Sequence, residues 1–274
     1  MAADPPQDAS FLGAGRRSVR TDLLLGIDRV LVAAPDQSAG CVPTTTADPA
    51  PAPVTPSSVA GQPPGRGRKL LEELAEGAGP AELLAELEAV YARECPLGSD
   101  VEGTRTVVFG EGDPCAELMF IGEAPGEEED RTGRPFVGRA GRKLDEMISA
   151  MGFTREEVYI ANVLKTRPPQ NRTPLQDEVD ASSPFLEAQV SIVRPDVIVA
   201  LGGPAAKLLL RTEAGITRLR GRWGSYLAGE DAFPVMPTFH PAYLLRNPTL
   251  EVRGQVWEDL QAVLERLGRP TPGR

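Results

Sequence analysis

The chain has 274 residues, 41% of them apolar, enough for a core in one large domain or two small ones. Its three cysteines leave no disulfide framework, and no stretch nears the roughly 18 apolar residues of a membrane span, so a cytoplasmic protein is expected. The net charge of −10 argues against indiscriminate nucleic-acid binding, but it is uneven: residues 101–200 carry −7 and residues 201–274 carry +3.

Thr21 to Ala34 reads as a short amphipathic helix, either a weakly helical tail or a docking segment for a protein partner. Residues 34–67 are crowded with Ala, Pro, Thr, Ser and Gly and lack any apolar period, the composition of a disordered linker. Three parts follow: an extension over 1–67, a folded domain over 68–268 and a disordered tail over 269–274.

Leu70, Leu71, Leu74, Leu83, Leu84, Leu87 and Val90 recur at helical spacing, broken by Gly77, Gly79 and Pro80, which predicts two helices joined by a turn. Apolar runs of strand length come next, at Thr106 to Phe109, Leu118 to Ile121, Val158 to Val163, Val197 to Leu201 and Val235 to Phe239. Helical patterns separate or follow them at Arg139 to Met151, Pro174 to Val193, Pro204 to Arg211 and Leu250 to Leu267. This alternation predicts an α/β fold: a mostly parallel central sheet with helices on both faces, in three layers. In such sheets ligands bind beyond the carboxyl ends of the strands. Glu123, Asn162 and His240 stand at or just past three of those ends. Gly202 and Gly203 follow another, with a plain strand-to-helix turn as the first reading and contact with DNA backbone as the second.

Residues 119–146, MFIGEAPGEEEDRTGRPFVGRAGRKLDE, carry the densest chemistry. The glycines permit close approach of backbone to a ligand, whereas Glu123, Glu127, Glu128, Glu129 and Asp130 repel a phosphate. The loop suits a neutral ring or a cation that develops during reaction.

GEAPG at 122–126, with Glu-Asp following at 129–130, resembles the first motif of the uracil-DNA glycosylase superfamily in its family 4 branch. Phe239-His240-Pro241-Ala242-Tyr243-Leu244-Leu245-Arg246-Asn247 is similar to that family's histidine and wedge loop. Asn162-Val163-Leu164-Lys165 and Arg167-Pro168-Pro169-Gln170-Asn171-Arg172 are similar to its base-holding strand and loop. The resemblance covers about residues 68–268. It implies a monofunctional DNA repair enzyme that flips uracil out of single- or double-stranded DNA and hydrolyses the N-glycosidic bond, with no dissociable cofactor. A non-catalytic DNA-binding or polymerase-associated module of the same fold is the first rival, and a glycosylase for hypoxanthine or xanthine the second.

The resemblance also implies roles. Phe136 supplies a flat face for the extruded ring, and Ala124 lies beside it in the uracil site. The Asn162 amide reads O4 and N3 of uracil, and His240, the only histidine, faces O2, where negative charge accumulates. Glu123 is expected to position the attacking water and Glu129 to close the pocket near C5, with the two roles open to exchange. Tyr243, Leu244 and Leu245 would fill the gap in the duplex, while Arg246, Asn247 and Arg220 grip phosphates. Arg218, Arg222, Arg139, Arg142 and Lys143 extend that basic face.

Family members hold a four-iron, four-sulfur cluster on four cysteines. Here Cys95 matches one position, but Ala92, Thr166 and Ser182 stand at the other three. Iron–sulfur centres need thiolates or, rarely, imidazoles, so no cluster and no metal is expected, with Thr166 and Ser182 packing together instead.

Overall fold

A computed structural model describes residues 66–75, 77–94 and 106–272. The proposed docking segment at 21–34, the linker and Cys95 lie outside the described residues. The elements run α1 (Arg66–Glu73), α2 (Pro80–Glu94), β1 (Glu111–Gly112), β2 (Leu118–Gly122), α3 (Glu127–Thr132) and α4 (Arg139–Ala150). Then come β3 (Tyr159–Asn162), α5 (Gln176–Val193), β4 (Val197–Leu201), α6 (Gly203–Leu210), α7 (Ile216–Leu219), β5 (Gly224–Ala228), β6 (Asp231–Thr238), α8 (Pro241–Arg246) and α9 (Leu250–Arg266).

The sheet has the order β1-β3-β2-β4-β6-β5. Its four central strands are parallel, and the short β1 and the longer β5 close the edges antiparallel. Strand residues alternate between two cores, as the pleat requires. Met119, Ile121, Ala161, Ile198, Ala200 and Val235 pack with α1, α2, α5 and α6 on one face. Leu118, Phe120, Ile160, Val199, Leu201 and Met236 pack with α4 and α9 on the other. The three expected layers are present. Both faces of β2 and β4 are buried along their whole length, which is why these strands read as unbroken apolar runs. No helix among the described residues is long and apolar enough to cross a membrane.

Three expectations about elements change. Thr106 to Phe109 is not a strand: Val108 N donates to Lys165 O at 2.7 Å, but the ladder with β3 forms only at Glu111 and Gly112. β5 went unseen because its outer face meets solvent, so that GSYLA carries only two buried positions, Tyr226 and Ala228. The acidic run read as loop forms the short helix α3, which carries its negative charges in its first turn, where the helix dipole favours them. The domain also runs past 268. The Arg269 guanidinium pairs with Glu117 and lies 4.2 Å from the centre of the Phe153 ring, so this residue is packed against the fold rather than part of a tail.

Candidate active site

Beyond the carboxyl ends of β2, β4 and β6 lies a cleft of about 560 Å³. Its lining includes Glu123, Ala124, Glu129, Phe136, His240 and Tyr243. Pro168, Asn171 and Arg172 form part of one wall, and Gly202 and Gly203 also border it, so that turn is part of the site.

Phe136 and His240 line the cleft, whereas Asn162 is buried, stands outside the lining and adjoins the edge of Phe136. Phe136 and His240 have ring centroids 5.7 Å apart with planes inclined by 31°. Asn162 ends β3, paired in register with Gly122 of β2. A methyl group on Gly122 would overlap both Asn162 Oδ1 and Phe136 Cζ, so glycine here lets the amide and the ring edge meet over the backbone. Asn162 is buried, and its Oδ1 has no hydrogen-bond partner. A buried acceptor left unpaired costs free energy, so this atom is ready for a donor from a bound molecule.

His240 caps α8: its Nδ1 accepts from Ala242 N at 3.1 Å. A neutral ring with Nδ1 so engaged carries its proton on Nε2. Burial, with repulsion from Arg246, pushes the imidazole down to about 4, against an opposing pull from Glu129. The ring is neutral at physiological pH, a donor with no positive charge. The Glu123 carboxyl is raised above its ordinary range by burial, and among the described residues it has no hydrogen-bond or ion-pair partner.

Glu129 is fully engaged. Its Oε1 accepts from Val137 N and Gly138 N at 2.9 Å each, and its Oε2 from Gly126 N at 3.1 Å. The carboxylate staples the GEAPG loop to the backbone after Phe136, and it borders the cleft while doing so.

The expected DNA-contacting residues divide. Leu244 is 1% exposed and belongs to the core under α4 and α9, so it is not available as a wedge; Leu245 is 38% exposed. Tyr243 stacks on Phe239 at 4.7 Å. The Asn247 amide donates back to Tyr243 O at 3.3 Å, closing α8. Arg220 is turned inward: it forms a two-pronged ion pair with Asp259, at 2.6 and 3.1 Å, and also donates to Gln255 O. A guanidinium so occupied serves the fold rather than a phosphate. The side chains of Arg246, Arg139 and Arg142 have no hydrogen-bond or ion-pair partner among the described residues; Arg246 lines the cleft, and Arg139 and Arg142 are exposed on α4, which packs against α8. Lys143 pairs with Glu146 at 2.5 Å.

The cluster positions do not fit an iron–sulfur centre. Thr166 and Ser182 are buried hydroxyls, and Ser182 Oγ lies 3.5 Å from Tyr91 Oη. Neither can supply a thiolate. Among the described residues no group of three or more His, Cys, Asp and Glu could hold a metal ion.

Comparison with known proteins decides the family: the model described as "Uracil DNA glycosylase superfamily" matches residues 109–261. The chain belongs to the uracil-DNA glycosylase superfamily. A type-4 uracil-DNA glycosylase of Thermotoga maritima is 49% identical over 168 residues, 61% of this chain and 84% of that protein. One of Archaeoglobus fulgidus is 39% identical over 196 residues, 68% of this chain and 92% of the relative. A DNA polymerase of Bacillus phage SP01 is 30% identical over 140 residues, 51% of this chain but 15% of the polymerase. The superfamily match spans β1 to most of α9 and holds every cleft residue named above.

The cleft-lining Ile216 was missed in the sequence. Ile216 reads as an ordinary apolar residue of a four-residue helix, and nothing in its spacing points to a site.

Proposed function

We propose that this cleft removes uracil from DNA by hydrolysis of the N1–C1′ bond, leaving an abasic site. The observation that carries the reading is the unpartnered Asn162 Oδ1, buried beside the edge of Phe136, with the neutral His240 ring 5.7 Å from the phenyl centre. Uracil offers an N3–H to that oxygen and an O4 to the amide nitrogen. Cytosine has an acceptor at N3 and a donor at C4, so its edge would leave both groups of Asn162 opposed.

In this reading Phe136 stacks on the extruded ring, and His240 Nε2–H donates to O2 as the N1–C1′ electron pair withdraws onto the base. Because the imidazole is already neutral, it stabilises the anion by a hydrogen bond without first giving up a charge. Glu123, a carboxylate with no partner among the described residues, orients the water whose oxygen bonds C1′ and stabilises the positive sugar. The proton released from that water passes to the carboxylate, and the departing uracil anion takes up its own from solvent. Ala124 borders the ring, and Glu129 holds the loop that brings Glu123 to it.

DNA would lie across α4 and α8, which carry the exposed Arg139, Arg142 and Arg246, with Leu245 as the apolar side chain entering the stack. The chain would work without a cluster, since three of the four ligand positions carry no thiol.

Oligonucleotides holding a single U, T, hypoxanthine or xanthine, incubated with the protein and treated with alkali, test the reading. Scission at U alone supports it. Scission at hypoxanthine or xanthine shifts the substrate, and binding without scission at any base points to a non-catalytic module. Stoichiometric iron and sulfide in anaerobically purified protein would refute the cluster-free reading.

A further inference from the structure

Phe136 has a φ of 50°, in the left-handed region that a phenylalanine rarely occupies, so its surroundings must impose the conformation. Two features do so. Gly141 on α4 lets the helix approach until any side chain there would overlap Phe136 O. The carbonyl is then gripped by a single guanidinium: Arg155 Nη1 donates to Phe136 O at 3.2 Å, and Nη2 donates to Pro135 O.

The same guanidinium is anchored on its other sides. Nη1 also donates to Asp145 of α4 at 2.7 Å, and Nε donates to Glu111 of β1 at 3.1 Å. The Arg155 side chain is 14% exposed. It therefore ties the edge strand, the helix and two successive carbonyls of the ring-bearing turn together at one point. Glu111 receives a second cation, Arg134, at 2.8 and 2.6 Å, but that side chain is 60% exposed and its guanidinium reaches neither carbonyl.

We propose that Arg155 is the positioning residue for the base-stacking ring: it holds Phe136 in its left-handed conformation and thereby sets the ring's place between Asn162 and His240. This rests on the reading of the cleft as a uracil site, but the conformational part does not depend on the reaction. Without the two donated bonds, the turn can relax to an ordinary φ, and the ring swings off the face that an extruded base would need.

The test compares Arg155→Gln, Arg155→Lys and Arg134→Ala with the parent chain. Amide hydrogen exchange comes first. In Arg155→Gln the amides of Val137 and Gly138 should exchange faster while those of β4 and β6 keep their rates; unchanged exchange at 137–138 overturns the inference whatever the substrate proves to be. Single-turnover release of uracil should fall by about ten- to a hundredfold in Arg155→Gln, as expected when a group that orients the substrate is misplaced. Affinity for DNA holding an abasic site should stay level, because no base is stacked there. Added guanidinium ion, below denaturing concentration, should restore part of the rate. Arg134→Ala should stay within about twofold of the parent, as for an exposed ion pair. If Arg155→Gln does not fold, Arg155→Lys retains the charge but not the planar fork of donors and should show the same pattern in weaker form. A rate per folded molecule equal to the parent's in Arg155→Gln, or in Arg155→Lys where the first does not fold, overturns the proposal. If the parent itself releases no uracil, the functional reading fails and the exchange result alone decides the role of Arg155.

Discussion

Ala242 N donates to Nδ1 of His240 at 3.1 Å, a bond from the first turn of α8 that leaves Nε2 as the proton-bearing atom of the neutral ring. The imidazole resists protonation down to about 4, against 6.5 for an unfolded histidine. The rate of uracil release should therefore show no histidine ionisation near pH 6.5. The acid limb should instead belong to Glu123, at a pH above the ordinary 4.5 because burial raises that carboxyl. Rate profiles of the parent and Glu123→Gln check this, and an acid limb that survives in Glu123→Gln counts against the assignment.

The same depressed value makes stability depend on pH. An unfolded chain takes up the imidazole proton at 6.5 while the folded one refuses it until about 4. The contribution is therefore whole above pH 6.5 and is lost as the pH falls towards 4. Urea unfolding at pH 7 and pH 4.5 should cost the parent on the order of 2 kcal/mol more than His240→Asn. Equal losses would mean that the ring is open to solvent.

Asn162→Ala removes the unpartnered oxygen and the amide together. Uracil release should slow by at least about tenfold, equivalent to ~1.4 kcal/mol in the barrier. Stability should hold or rise, since a buried acceptor without a partner is deleted. Single-turnover kinetics and thermal melting measure the two effects separately, and a variant with parental rates would remove the amide from the site.

Arg220→Ala should act on the fold. Asp259 is 1% exposed, and it is held by Arg220 and by the Thr238 hydroxyl at 2.7 Å. Removing the guanidinium leaves a buried carboxyl short of partners, an effect of roughly 3 kcal/mol on unfolding. Denaturant titration checks this; a change only in DNA affinity would return Arg220 to the phosphate-gripping role.

Arg246→Ala should behave in the opposite way. The side chain is exposed and unpaired among the described residues, so the melting temperature should hold. Affinity for DNA should fall, and the slope of log K against log salt should flatten by about 0.9 for duplex or 0.7 for single strands. Binding measured over a salt series reads both.

The four parallel strands, the long helices and the motif residues at the strand ends were legible in the sequence, because strands buried on both faces must be continuous apolar runs and their ends must carry the ligand loops. Leu244 and Arg220 misled for a shared reason. Neighbours in a motif point in different directions once α8 forms, so Leu245 is exposed while Leu244 enters the core. An arginine among basic neighbours likewise reads as a surface charge until α9 brings Asp259 to it.

Sequence by itself determined which residue types stand at the cleft, since a motif is a local property of the chain. Only the tertiary structure decided how they are aimed: the left-handed turn at Phe136, the four acceptors around Arg155 and the orphaned oxygen of Asn162 each depend on groups far apart in the chain. Direction and satisfaction are set by packing, and packing does not exist until the sheet and both helical layers have closed.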